Sequence, residues 1–195
     1  MTSHRLTFSA VFSLVVATAL AACTGHPSSP MAPVPVTAVG SALRSPNTDF
    51  EAVRQATARF HDIDAALAAG YVDDGYGCID AATFGLDPAL GGMGFHLINE
   101  TLHADPASHP LQPDLLVYAP AKGQGKPRLV ALEYEVFVDD WYAANGPNAA
   151  PPELFGHEFE RIDLDDLHIF GLHLWLWDDN PNGLFEDFNP RVSCQ

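Results

Sequence analysis

The chain predicts an α+β domain: one N-terminal amphipathic helix packed on an antiparallel β-sheet, with long loop-rich connections. Three observations predict it. Apolar residues recur at helical spacing between residues 49 and 69, while residues 128–138 and 168–177 alternate with the two-residue period of strands. The helical pattern comes first and the strand patterns follow without intervening helices, which is the order of an α+β fold and not of alternating βαβ units.

Ahead of that domain, Met1 to Thr7 carries Arg5 and His4 but no acid. An apolar run, Phe8 to Leu20, follows and ends in small residues. This is the layout of a secretory signal over residues 1–22, and the run is shorter than the ~20 residues that span a bilayer. Leu20-Ala21-Ala22-Cys23 resembles the lipobox of bacterial lipoproteins. That resemblance implies cleavage before Cys23, lipidation of its thiol and attachment to a lipid bilayer in the bacterial cell envelope. Thr24, which is not Asp, would favour the periplasmic side or the surface of the outer membrane. Residues 23–47 are rich in Pro and Ser and read as a disordered tether, leaving 48–195 as a single globular domain.

Composition narrows the function classes. The chain has 9 Lys and Arg against 25 Asp and Glu, and loss of residues 1–22 would remove only Arg5 from that balance. A surface so acidic repels nucleic acid, so no nucleic-acid partner is expected. With Cys23 assigned to lipid, Cys78 and Cys194 form an even pair in an oxidising compartment. They are expected to make a disulfide that staples the C-terminal tail to the segment after the first helix.

Within the domain, Thr48-Asp49-Phe50-Glu51 has the form of a capping box, followed by Phe50, Val53, Thr57, Phe60, Ile63 and Leu67 on one stripe, with Gly70 as terminator. From Tyr71 to Pro113, glycines and prolines mark an irregular region in which Gly94 to Ile98 is a short strand. Asp114–Ala119 and Arg128–Val138 read as a hairpin. Val130, Leu132, Tyr134, Val136 and Val138 form one face of its second strand, and Leu129, Ala131, Glu133, Glu135 and Phe137 form the other. A proline-rich loop containing Trp141 follows. His168–Trp177 is the next strand, with His173, Trp175 and Trp177 on one side; Asp178 to Gly183 is a turn, and Phe185 and Phe188 dock the tail.

The chemistry rests on those two-faced strands. Glu133 and Glu135 share one face, and His173 lies on a face with two tryptophans; His96 stands on a neighbouring strand. Carboxylate oxygen with neutral imidazole suits a divalent transition metal such as Zn²⁺, Mn²⁺, Fe²⁺ or Cu²⁺. His96, Glu133, Glu135 and His173 are therefore the candidate metal ligands. A mononuclear centre requires a Glu133 or Glu135 carboxylate oxygen within about 8 Å of the His173 ring nitrogens. A small ligand held in the same Glu/His/Trp-lined cavity belongs to this reading, and two others stay open: a non-catalytic envelope structural or interaction protein holding a partner through the loops around Trp141 and Phe155, and then a hydrolase using the Glu133/Glu135 pair for acid–base work. Glu133 and Glu135 on a solvated sheet face, and His173 as a core histidine, are the plain structural alternatives. His103, His109 and His157 are expected at the surface. No phosphate-binding loop, dinucleotide fingerprint, G-x-S-x-G or Cys-x-x-Cys occurs.

The order of segments is Ala56-Thr57-Ala58-Arg59-Phe60-His61-Asp62, Gly92-Met93-Gly94-Phe95-His96, Leu129 to Tyr134, Leu172-His173-Leu174-Trp175-Leu176-Trp177 and Asn189 to Cys194. It resembles a group of uncharacterised bacterial secreted proteins over about residues 50–194. The likeness implies an exported single domain and supplies no mechanism.

Overall fold

A computed structural model describes residues 46–123, 125–164 and 166–194. The expected signal segment, the lipidation site Cys23 and all but the end of the tether lie outside the described residues.

The described chain combines helices with an antiparallel sheet. Helix α1 spans Pro46–Thr57, a 3-10 turn covers Ala58–His61 and α2 spans Ile63–Ala68. The stripe anticipated as one helix over 49–69 is thus divided. Asp62, in an extended conformation, accepts from the Asp64 amide and caps α2, while the buried Thr57 hydroxyl donates back to the Val53 carbonyl at 2.8 Å. Such local bonds compete with a continuous helical ladder. The break still leaves Val53, Phe60 and Ala66 in one buried cluster.

The strands are β1 (Val72–Asp73), β2 (Ile79–Asp80), β3 (Gly92–Ile98), β4 (Leu115–Ala119), β5 (Arg128–Phe137), β6 (Glu153–Leu154), β7 (His157–Glu158), β8 (Glu160–Leu164) and β9 (Leu167–Leu174). The main sheet runs β1-β3-β4-β5-β9-β8, with β2 also paired to β3, and all its pairings are antiparallel. β6 and β7 form a separate hairpin whose turn residues, Phe155 and Gly156, both have positive φ. Two short helices, α3 (Glu100–His103) and α4 (Val138–Asn145), and two 3-10 turns, Ala81–Phe84 and Pro88–Leu90, complete the described elements.

Two of these elements correct the sequence expectation. Trp141 lies on α4 and not in a loop: Asp139 and Asp140 sit in the first helical turn, where acids stabilise the N-terminus, and Gly146 ends the helix before Pro147. β8 was not anticipated, because its Glu160-Arg161-Ile162-Asp163-Leu164 occupies an exposed edge and carries little apolar signal.

The sheet has two covered faces. Leu116, Tyr118, Leu132, Tyr134, Val136, Phe170, Leu172 and Leu174 belong to the same buried cluster as Val53 and Phe60. Tyrosine hydroxyls on this side donate to backbone carbonyls: Tyr118 to Phe60 at 2.6 Å, Tyr71 to Pro113 at 2.7 Å and Tyr134 to Pro110 at 2.8 Å. The opposite face carries a smaller cluster of Val117, Ala119, Val130, Ala131, Trp175 and Val192. Val130 was expected on the first face. A register shift against Val117/Tyr118 places Val130 and Ala131 together on the second and returns Leu129 to the first, as a β-bulge does by inserting one residue.

The C-terminal tail covers that second face. Cys78 and Cys194 are joined in the expected disulfide, with Cα atoms 5.5 Å apart. Asn189, fully buried, exchanges backbone hydrogen bonds with Gly92. The approach is so close that a Cβ on Gly91, which has φ +85°, would lie 2.1 Å from the Asn189 carbonyl oxygen. Only glycine accommodates both conditions.

Candidate metal centre

Strand alternation sends Phe95 and Leu97 toward the helical side and His96 to the other. Glu133 of β5 lies directly opposite His173 of β9. His96 lies opposite Val117 of β4, which lies opposite Ala131 of β5, so His96 reaches across β4 toward Glu133. The three side chains are buried, with relative exposures of 3% for His96, 5% for Glu133 and 3% for His173.

They converge on one point. His96 Nε2 is 3.3 Å from Glu133 Oε2, and His173 Nδ1 is 3.3 Å from Glu133 Oε1. One ligand atom from each residue lies within 4.8 Å of the others. This meets the requirement of about 8 Å set by the sequence argument. Neither ring nitrogen of His96, nor Nε2 of His173, has a hydrogen-bond partner. Buried polar atoms are ordinarily satisfied, so this grouping needs a physical cause. Ligand atoms held about 2.0–2.1 Å from one tetrahedral ion lie about 3.3–3.4 Å from each other, a separation the two Glu–His distances already have.

The surroundings of His96 favour ligation, whereas those of Glu133 and His173 hold protons that a metal ion would displace. Burial, followed by the His173 charge, lowers the His96 pKa to about 3, keeping its imidazole neutral with a lone pair to offer. Burial raises the Glu133 pKa against the opposing pull of His173. For His173 burial acts downward, yet Glu133 and Asp187 together raise it. Trp175 stacks beside His173 with ring centroids 6.2 Å apart. Gly171, next but one on β9, leaves room here: a Cβ there would lie 3.0 Å from Ile162 and 3.9 Å from Glu133 Oε1.

Two further carboxylates join the site, and the sequence reading missed both. Asp74 Oδ2 lies 3.7 Å from His96 Nδ1, on the far side of the ring from Glu133. Asp187 Oδ1 lies 3.5 Å from His173 Nδ1. A carboxylate behind a ligating imidazole can orient the ring, and Asp74 occupies that position at ion-pair distance, beyond hydrogen-bond reach of Nδ1. Each acid follows or precedes an irregular segment, so no periodic signal marks it; the docking of Phe185 and Phe188 was the available hint for Asp187.

Glu135 does not join the cluster. Its Oε2 lies 2.8 Å from His103 Nε2, and its amide donates to Asp114 Oδ2 at 3.0 Å. His103, expected at the surface, is a correction: its side chain is 11% exposed and its ring meets Phe137 at 4.5 Å. α3, capped by Asn99, turns this histidine inward. His109 and His157 are exposed, as expected. The tryptophans separate, because β9 ends at Leu174 and strand alternation ends with it. Trp175 joins the face of the site, and Trp177 packs against the helical side, 4.3 Å from His61.

No family model, curated protein or solved structure matches this chain. The functional reading therefore rests on the residues themselves.

Proposed function

We propose that the protein is a metal-binding lipoprotein of the bacterial envelope, holding one divalent transition-metal ion through His96, Glu133 and His173. The observation that carries the reading is the convergence of these three buried side chains, with imidazole nitrogens that lack hydrogen-bond partners, from three different strands. Two imidazoles and one carboxylate suit zinc or ferrous iron and leave coordination positions for water or a small ligand. The scaffold is an antiparallel sheet backed by the N-terminal helical segments, and Asp74 supports His96 from behind. The lipid anchor at Cys23 rests on the lipobox alone.

The acid–base reading of the Glu133/Glu135 pair is less well supported, since Glu135 is engaged by His103. The interaction reading needs free aromatics. Phe155 instead packs against Phe50 at 5.3 Å, and Trp141 donates to the Ala150 carbonyl at 2.9 Å.

The test is elemental analysis of the purified full chain beside His173→Ala and Glu133→Gln variants, with thermal melting of each with and without added Zn²⁺. One equivalent of metal in the wild type, lost in both variants, is expected, together with a Zn²⁺-dependent rise in Tm for the wild type alone. Equal metal in all three proteins would overturn the assignment.

A further inference from the structure

The buried centre is not sealed on every side. A cleft of about 300 Å³ opens between β8–β9 and the C-terminal tail. Its lining includes His157, Glu158, Glu160, Glu186 and Asp187, and His173 lies among the same lining residues; none of them is Lys or Arg. His157, Glu158, Glu160 and Glu186 are exposed, and the Asp187 side chain is about one-third exposed at 35%. Acid density alone would describe any solvated surface. Here it leads to a fully buried imidazole whose Nε2 has no hydrogen-bond partner and whose Nδ1 is 3.5 Å from Asp187.

Asp187 is also held in place from both sides. The Trp175 amide donates to the Leu184 carbonyl at 2.9 Å, and the Trp175 indole N–H donates to the Glu186 carbonyl. On the other side Asn189 is locked to Gly92. The backbone on both sides of Asp187 is therefore fixed to the sheet, and its carboxylate stands between solvent and His173.

Resting on the metal reading above, we propose that this cleft is the route by which a divalent cation reaches the buried centre, with Asp187 as its exchange ligand. The acids concentrate the cation from solution by focusing the field of a low-dielectric cleft. Asp187 takes it up first, passes it to His173 and Glu133, and stays beside His173 Nδ1 to slow its loss. This assignment also accounts for the absence of Lys and Arg among the described lining residues, since a fixed cation would compete with the one being delivered. An anionic ligand is excluded by the same field.

Stopped-flow uptake of Co²⁺ by the full chain, followed by its visible absorption, tests the route, with release measured separately on transfer to a chelator. The Glu158→Gln/Glu160→Gln variant changes only exposed positions and is expected to reach the wild-type endpoint. At low ionic strength it should load about tenfold more slowly. At about 1 M salt, where the screening length falls to roughly 3 Å, the difference should vanish. Asp187→Asn should release Co²⁺ roughly 10–100-fold faster. Wild-type uptake with no slowing in the double variant, or slowing that persists in high salt, overturns the route and leaves the metal reading standing. Release from Asp187→Asn at the wild-type rate removes Asp187 from the exchange. Absence of Co²⁺ uptake by the wild type ends both proposals.

Discussion

The two faces of the sheet solve the problem of burying polar groups in opposite ways. On the helical side Tyr71, Tyr118 and Tyr134 each donate to a specific carbonyl, and among the large aromatics there the Trp177 indole N–H is left without a partner. On the tail side His96, Glu133 and His173 crowd one another at 3.3 Å, with ring nitrogens left over. A buried polar group without a partner costs about 1–3 kcal/mol, so the second arrangement is a poor way to stabilise a fold. The contrast teaches that the helical face is built chiefly for packing, whereas the tail face, where the proposed centre lies, needs external support. The Cys78–Cys194 disulfide and the Asn189 contacts supply that support.

The largest effect that would break this contrast concerns the staple. The disulfide closes a loop with a sequence separation of 116, and in the chain-entropy model its removal costs about 4–5 kcal/mol. Cys78→Ser/Cys194→Ser should lower the urea midpoint accordingly. Hydrogen exchange should show the loss of protection first at Gly92 and Asn189, with the Leu116 and Tyr118 amides of β4 protected longest. Uniform loss across both faces would mean that the tail face has no separate stability.

Next comes Glu133. Glu133→Gln should weaken Zn²⁺ binding at least about 100-fold, equivalent to roughly 2.7 kcal/mol, measured by competition with a chromophoric chelator. In the metal-free protein at pH 6 the same substitution should leave Tm nearly unchanged, because burial raises the Glu133 pKa to about 8 and the amide replaces a carboxyl that is already protonated. A large destabilisation of the metal-free form would instead make Glu133 a structural member of the core.

Asp114 sharpens the comparison through pH. Burial, opposed by the Glu135 amide and the His103 charge, raises its pKa from 3.8 to about 6. A carboxyl raised on folding contributes stability that is fully present below about pH 4 and is lost as pH rises through about 6. Asp114→Asn keeps a carbonyl for the Glu135 amide and removes this decline. In the presence of chelator, the variant should gain roughly 2 kcal/mol on the wild type between pH 4 and pH 7. Parallel urea-midpoint profiles would assign the burial of Asp114 no such penalty.

The smallest effect is on the helical side. Tyr118→Phe should cost about 1 kcal/mol, through loss of the bond to the Phe60 carbonyl. Metal affinity should not change, since that hydroxyl lies on the opposite face. A coupled fall in affinity would show that the faces are not independent.

Much of this was legible in the chain because alternation is a local property. Leu132, Tyr134 and Val136 against Glu133, and Phe170, Leu172 and Leu174 against His173, assign both strands and both faces without any partner. The Cys78–Cys194 pairing is likewise legible from cysteine arithmetic once Cys23 is assigned to lipid. Local pattern failed where the chain leaves its period: at the bulge that moves Val130, at the Asp62 cap that divides the helix, and beyond Leu174, where the two tryptophans part.

What the sequence determined by itself was therefore which residues share a face of one strand: Glu133 with Glu135, His173 with Trp175, and His96 between two apolar neighbours. Only the tertiary structure decided which of them meet. Strand order places β9 beside β5 and only β4 between β5 and β3, so His173 and His96 reach Glu133, while α3 carries His103 to Glu135 instead. The tail brings Asp187 to His173, fourteen positions further along a turn-rich path with no period to read. Alternation follows from the geometry of a single extended backbone; convergence depends on long-range pairing and on where the disulfide and Asn189 fasten the tail.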